Sequence, residues 1–186
     1  MIMAETPARD RVNGIDVDAV DEMVAQIGLD PRSACAGVRV KTEWKGQARS
    51  ESTVETFSAG QSVGRNFTIA CDEPLELLGE NSAPNPQELL LSALNSCLVV
   101  GYVVQCALRN IRLDDCRIET EGDLDMRGFL GLDEAVSPGY RRITYTVHLE
   151  GSGTREQMEE IHQEVMATSP NFFNLAQPVQ MCGRLA

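Results

Sequence analysis

From Leu89 to Leu108 the chain runs for 20 residues without one charged side chain. Asn85 is placed to cap this stretch, Pro86 suits the first helical position, and Glu88 follows the cap by three residues, as in a capping box. Residues that are apolar on nearly every side predict a long helix buried through the middle of a fold. Length and lack of charge also meet the criterion for a membrane span. Against that stand Ser92, Asn95, Ser96 and Gln105, the absence of a basic cluster before the run, and flanks that read as ordinary strands. A buried central helix, with no membrane, is the expectation.

The flanking sequence supplies the rest of the architecture. Residues 1–12 are polar and predict a disordered start. Ile15, Val20, Met23, Val24 and Ile27 then recur at helical spacing, with Asp16 as cap and Gly28 as stop, and Asp30-Pro31 ends that short helix. Val38 to Trp44, Thr53 to Ser58 and Arg65 to Cys71 read as strands of an antiparallel meander, broken at Lys45-Gly46 and at Ala59-Gly60-Gln61. A loop follows from Asp72 to Pro84.

Beyond the long helix, Asp115 to Glu121 and Arg142 to Leu149 alternate like strands around a Gly-rich connection, Gly122 to Gly139. Thr154, with Gln157 three positions later, opens a helix bearing Met158, Ile161, Val165 and Met166 on one stripe. Pro170 stops it or starts a further short turn, and Val179 to Leu185 reads as a last strand. The class is α+β with a mainly antiparallel sheet. A chain of 186 residues suits one domain, read here as 36–186, preceded by an extension over 1–35.

A net charge of −12 speaks against a nucleic-acid partner and against anionic lipid, since both need a basic surface. The six cysteines contain no Cys-x-x-Cys pair, and their wide spacing does not form a disulfide framework. Met1 to Arg9 lacks the order of a secretory signal. A reducing cytoplasm is the expected compartment. His148 and His162 are the only histidines, with no close Cys/His cluster, so no metal site is expected.

A reactive thiol needs an apolar but reachable position and a neighbour that stabilises its anion. Cys71, Cys116 and Cys182 fall in expected strands and read as packing residues, and Cys35 as a loop thiol. Cys97 lies mid-helix beside Asn95 and Ser96, small polar residues that leave room for a substrate and supply hydrogen bonds. Cys106 cannot resolve it. Nine residues place it about 13.5 Å along the axis on roughly the opposite face, beyond the ~7 Å Cα limit for a disulfide.

The stretch Asn85-Pro86-Gln87-Glu88-Leu89-Leu90-Leu91-Ser92-Ala93-Leu94-Asn95-Ser96-Cys97 resembles the signature of the OsmC/Ohr family of thiol peroxidases. Glu121-Gly122-Asp123-Leu124-Asp125, with Arg127-Gly128, Gly131 and Pro138-Gly139, is similar to that family's central strand and loop, and Ser169-Pro170 with Pro178-Val179 to its end. The resemblance runs from about Val38 to the C-terminus. It implies an intertwined homodimer with active sites at the subunit interface, around a long central helix from each chain. The implied reaction is reduction of organic hydroperoxides in two thiol steps, without metal, flavin or other cofactor.

Carried over by position, Cys97 matches the peroxidatic cysteine, Gln87 the glutamate that orients a catalytic arginine, and Ser169 the resolving cysteine. The last two are departures, and Glu88 is the substitute acid. Arg49 and Arg65 are the candidate cations, because no arginine lies between Arg65 and Arg109. Phe172 and Phe173 are expected at the pocket wall. Two functions follow. One is a single-cysteine hydroperoxide reductase served by an external thiol reductant. The other is a redox-inactive relative that holds a small hydrophobic ligand in the dimer-interface pocket.

Overall fold

Asp16 opens the first helix as expected: its carboxylate accepts from the Ala19 amide at 3.1 Å, and α1 runs Val17–Leu29. The computed structural model describes residues 11–58, 61–63 and 67–185. They fall into two compact units, one formed by Asp16–Leu90 and the other by Val12–Ile15 with residues 91 onward. Residues 1–10 and Arg65 lie outside the described residues.

In the first unit, a 3-10 turn at Pro31–Ala34 leads into β1 (Ala36–Gly46), β2 (Arg49–Ser58), β3 (Gln61–Val63) and β4 (Thr68–Cys71). β2 pairs antiparallel with β1, and also with β3 and β4 at its two ends. The β1–β2 turn falls where Lys45-Gly46 predicted it, with positive φ at Gly46 (115°) and Gln47 (43°). The register sets Val40 opposite Val54, and Ser52 between Thr42 and Ile69. Side chains alternate across a strand. Val38, Val40, Trp44 and Ile69 therefore share one face with Thr42 and Ser52, while Arg39, Lys41, Glu43 and Glu51 share the other.

The loop after β4 is organised by one side chain. Asp72 is fully buried, and its carboxylate accepts from the amides of Glu73, Glu80 and Ser82 and from the Ser82 hydroxyl, at 2.8–3.1 Å. These bonds, Ser82's foremost, hold the carboxyl down to about 2 against the opposing effect of burial. The long helix, α2, then spans Pro86–Leu108. Its capping box is complete: Asn85 Oδ1 accepts from the Glu88 amide, and Glu88 Oε2 from the Asn85 amide, both at 2.8 Å.

The second unit contains the core. Leu94, Leu98, Tyr102 and Cys106, each four residues apart on α2, pack with Ile111, Ile161 and Val165. Against them lie β5 (Leu113–Glu121) and β6 (Thr144–Gly151), an antiparallel pair, and α4 (Arg155–Thr168), opened by the Thr154–Gln157 capping box. A short α3 (Met126–Phe129) sits in the Gly-rich connection and α5 (Pro170–Ala176) follows α4. Burial of α2 within one chain follows that stripe, joined only by Ala107 near its end, and Val100 on another side is 62% exposed. Among the described residues α2 is also the one helix long and apolar enough to cross a membrane.

Two expectations are corrected. Val179–Leu185 is not a strand. Val179, Met181 and Leu185 are exposed, and a strand requires a neighbouring edge to complete its hydrogen bonds. Of residues 1–12, read as disordered, Arg11 and Val12 are described, and Val12 is buried. Asn13 and Gly14, both at positive φ, turn the chain between Val12 and Ile15, and the Asn13 amide bonds Ile111 O and Leu113 N at 2.9 Å.

Candidate functional site

Ser169 ends α4 and caps α5. Its Oγ accepts from the Phe172 amide at 3.3 Å, its carbonyl from the Phe173 amide, and Pro170 takes the first position of the new helix. The chain therefore turns sharply at Ser169, which is only 6% exposed. Asn171 Nδ2 bonds Ala93 O at 2.8 Å, so α5 is stapled to α2 one turn before Cys97. The result sets Cys97 Sγ 3.3 Å from Ser169 Oγ. Because that oxygen already accepts from Phe172, its own proton is free to be directed at the sulfur. A hydroxyl so placed stabilises a thiolate or a sulfenate and cannot form a disulfide.

Cys97 is half-buried as a residue. The other thiols differ. Burial pushes Cys106 and Cys116 up, and pushes Cys71 up with help from Glu73 and Asp72, so these remain neutral thiols at physiological pH. Cys35 and Cys182 are exposed. One helical turn from each member of the pair, Leu94 and Phe172 join Ile143 and Tyr145 in walling a pocket of about 240 Å³ that Arg141 and Arg142 also line, while Cys97 and Ser169 are not part of its lining. Phe172 meets Tyr145 edge to face, and Tyr145 donates to Met166 Sδ.

The remaining expected site residues scatter. Asn95 commits its amide to β5, donating to Ile118 O and accepting from Thr120 Oγ1, roughly 200° around the helix from Cys97. Ser96 is exposed on α2. Phe172 lines the pocket, while Phe173 is 59% exposed. Gln87 and Glu88 belong to the other compact unit, where Glu88 serves the capping box. Arg49, in that same unit, pairs with Glu51 Oε1 at 3.0 Å and donates to Ser82 Oγ at 2.9 Å.

Two residues that sequence reasoning passed over are Arg141 and Arg142. Their signal was a pair of adjacent cations where the Gly-rich connection meets β6. Tyr102, whose place one turn beyond Cys97 reads as packing, pairs with His162: the rings stack at 6.1 Å and the phenol meets His162 Nδ1 at 2.7 Å. Tyr102 is fully buried, and burial holds its hydroxyl protonated. Among the described residues no group of acidic, His and Cys side chains could hold a metal.

The family model for OsmC-like protein matches residues 79–181, more than half of the chain. The chain belongs to the OsmC-like family. Solved structures agree on the fold of this OsmC-like chain. A provisional osmotic stress induced and detoxification response protein of Psychrobacter arcticus is 15% identical with a TM-score of 0.55, covering 72% of this chain and 84% of its own. An OsmC-like protein of Mycoplasma pneumoniae gives 16% and 0.52, with 72% and 89% covered. An OsmC-like protein of Vibrio cholerae gives 13% and 0.53, with 73% and 91% covered. No curated protein matches the sequence at a significant level.

Proposed function

We propose that this OsmC-like protein reduces organic hydroperoxides through Cys97 alone, with an external thiol completing each cycle. The observation that carries the reading is the sulfur of half-buried Cys97, 3.3 Å from a hydroxyl whose proton is free to support its anion. The Cys97 thiolate attacks the distal peroxide oxygen, the S–O bond forms as the O–O bond breaks, and the departing alkoxide takes a proton to leave as the alcohol. Cys97 is then a sulfenic acid. Ser169 offers no sulfur, so an external thiol condenses with the sulfenate and releases water. A second external thiol attacks that mixed disulfide, leaving as a disulfide with the first and restoring Cys97. The compartment would be a reducing one, the cytoplasm, and the working form a homodimer. Support for the dimer comes from the apolar side chains that one chain leaves exposed on its first sheet and on α2.

A second reading, in which the pocket beside Cys97 holds a small apolar ligand without redox chemistry, is favoured by the replacement of the second thiol by Ser169. Consumption of cumene hydroperoxide with dithiothreitol, glutathione and dihydrolipoamide in parallel separates the two. Under the redox reading, wild type turns over with at least one reductant and Cys97→Ser falls to background. Ser169→Cys then forms an intramolecular disulfide with Cys97 after one equivalent of peroxide. Wild type no faster than Cys97→Ser with every reductant sinks the redox reading.

A further inference from the structure

We infer that Arg141 and Arg142 make the pocket beside Cys97 a binding site for small acidic apolar molecules, aliphatic or aromatic carboxylates, in preference to their neutral analogues. Four observations in the second unit carry this. The pocket wall is apolar and aromatic, built from Leu94, Ile143, Tyr145 and Phe172. Two adjacent guanidinium side chains line the same pocket. Neither has a carboxylate within ion-pair distance among the described residues, whereas Arg109 pairs with Glu164, Arg117 with Glu119 and Arg127 with Asp125. Finally, both cations fall side by side at the entry to β6, in a chain whose net charge is −12.

Arg141 and Arg142 also line a second cleft holding Asp123 and Asp125, and Arg142 a third with Glu121 and Asp123, none of them within ion-pair distance of either guanidinium. Asp125 is already gripped by the Arg127 guanidinium, which with the Arg127 amide and a smaller contribution from the nearby charge of Arg141 holds its carboxyl at about 2. Arg141 donates to the Ala135 carbonyl at 3.4 Å, a long contact that leaves most of its donors for a ligand. A guanidinium offers five N–H donors in a fork that matches a carboxylate, and such charge-assisted bonds are roughly twice as strong as neutral ones. An apolar pocket with a few polar groups at one side orients its ligand tail inward and head outward. A volume of about 240 Å³ is small for a ligand pocket, which suits a medium-chain or single-ring acid.

Calorimetric titration of the full chain with octanoate and with octanamide tests this, because the two probes share a tail and differ in head charge. The Cys97→Ser background keeps thiol chemistry out, and no peroxide is present. Failure of the peroxidase assay therefore leaves this inference standing, and failure here leaves the redox reading standing. Octanoate is expected to bind about tenfold tighter than octanamide at low salt, with the preference shrinking as salt rises. In R141Q/R142Q the preference disappears while octanamide binding is retained, which also shows that the pocket is still folded. Equal binding of the two probes, no binding of either, or a preference that survives R141Q/R142Q overturns the assignment.

Discussion

In the unit that carries Cys97, Leu98, Tyr102 and Ile161 are completely buried; in the sheet of the other unit, Val38 and Trp44 are 71% and 76% exposed. Both regions are rich in apolar side chains, nearly all round α2 and at a period of two on β1. The difference lies in what each region brings against its apolar side. The second unit sets β5, β6 and α4 over the α2 stripe, so a core forms. Within the first unit the sheet's apolar face has no such layer, and the buried residues there are few, Val17 and Asp72 among them. A sheet with one apolar face needs a covering layer to be stable. Patterning specifies which face seeks cover, and only tertiary or quaternary structure supplies it.

Substitutions on either side of this contrast should behave differently. The largest effect is expected in the second unit, where Leu98→Ala removes a fully buried side chain and should cost about 2–5 kcal/mol by urea unfolding. An effect below 1 kcal/mol would mean that the core is looser than its burial indicates.

Asp72→Asn comes next, because its NH2 group replaces one carboxylate oxygen and turns N–H donors towards either the Glu73 amide or the Glu80 and Ser82 amides. A fall in Tm of roughly 5–10 °C is expected. The pH dependence follows from the same carboxylate. Its folded value of about 2 lies below the ordinary value of about 3.9. Between those values the unfolded chain binds more protons. Wild type should therefore keep this contribution above about pH 4 and lose it progressively towards pH 2. The Asn variant should lack that acid step, and an unchanged step would place the titrating group elsewhere.

The smallest effect is expected on the sheet. Val40→Ser, at a residue 52% exposed, should change the stability of dilute protein by no more than about 0.5 kcal/mol. The same substitution should weaken self-association if a second copy is the missing layer. Sedimentation velocity over a concentration series reads that directly, and a wild-type chain that stays monomeric at every concentration rejects the homodimer.

The legibility of the fold followed the strength of local signals. The Asn85-Pro86-Gln87-Glu88 cap, the Thr154–Gln157 box and the Gly46 turn are decided within three or four residues, so they could be read from the chain alone. The Asn13-Gly14 turn carried an equally local signal, an Asn-Gly pair between the apolar Val12 and Ile15, and was overlooked. Val179–Leu185 alternates like a strand and is not one, since alternation cannot state whether an edge is available. At the candidate site, Cys97 stood out by its place in α2, and Ser169 through the family resemblance. Asn95 seemed to belong with Cys97 because they are two residues apart, yet two residues on a helix point to nearly opposite sides.

What the sequence determined by itself was therefore the α+β class, the long uncharged helix, and a lone mid-helix cysteine without a second thiol at position 169. Tertiary structure decided that 72 residues of separation close to 3.3 Å between Cys97 and Ser169, and that Arg141 and Arg142 line the pocket next to them. The physical reason is range. Caps and turns are settled by neighbours along the chain, whereas a pocket or an uncovered face depends on which distant surfaces the core draws together.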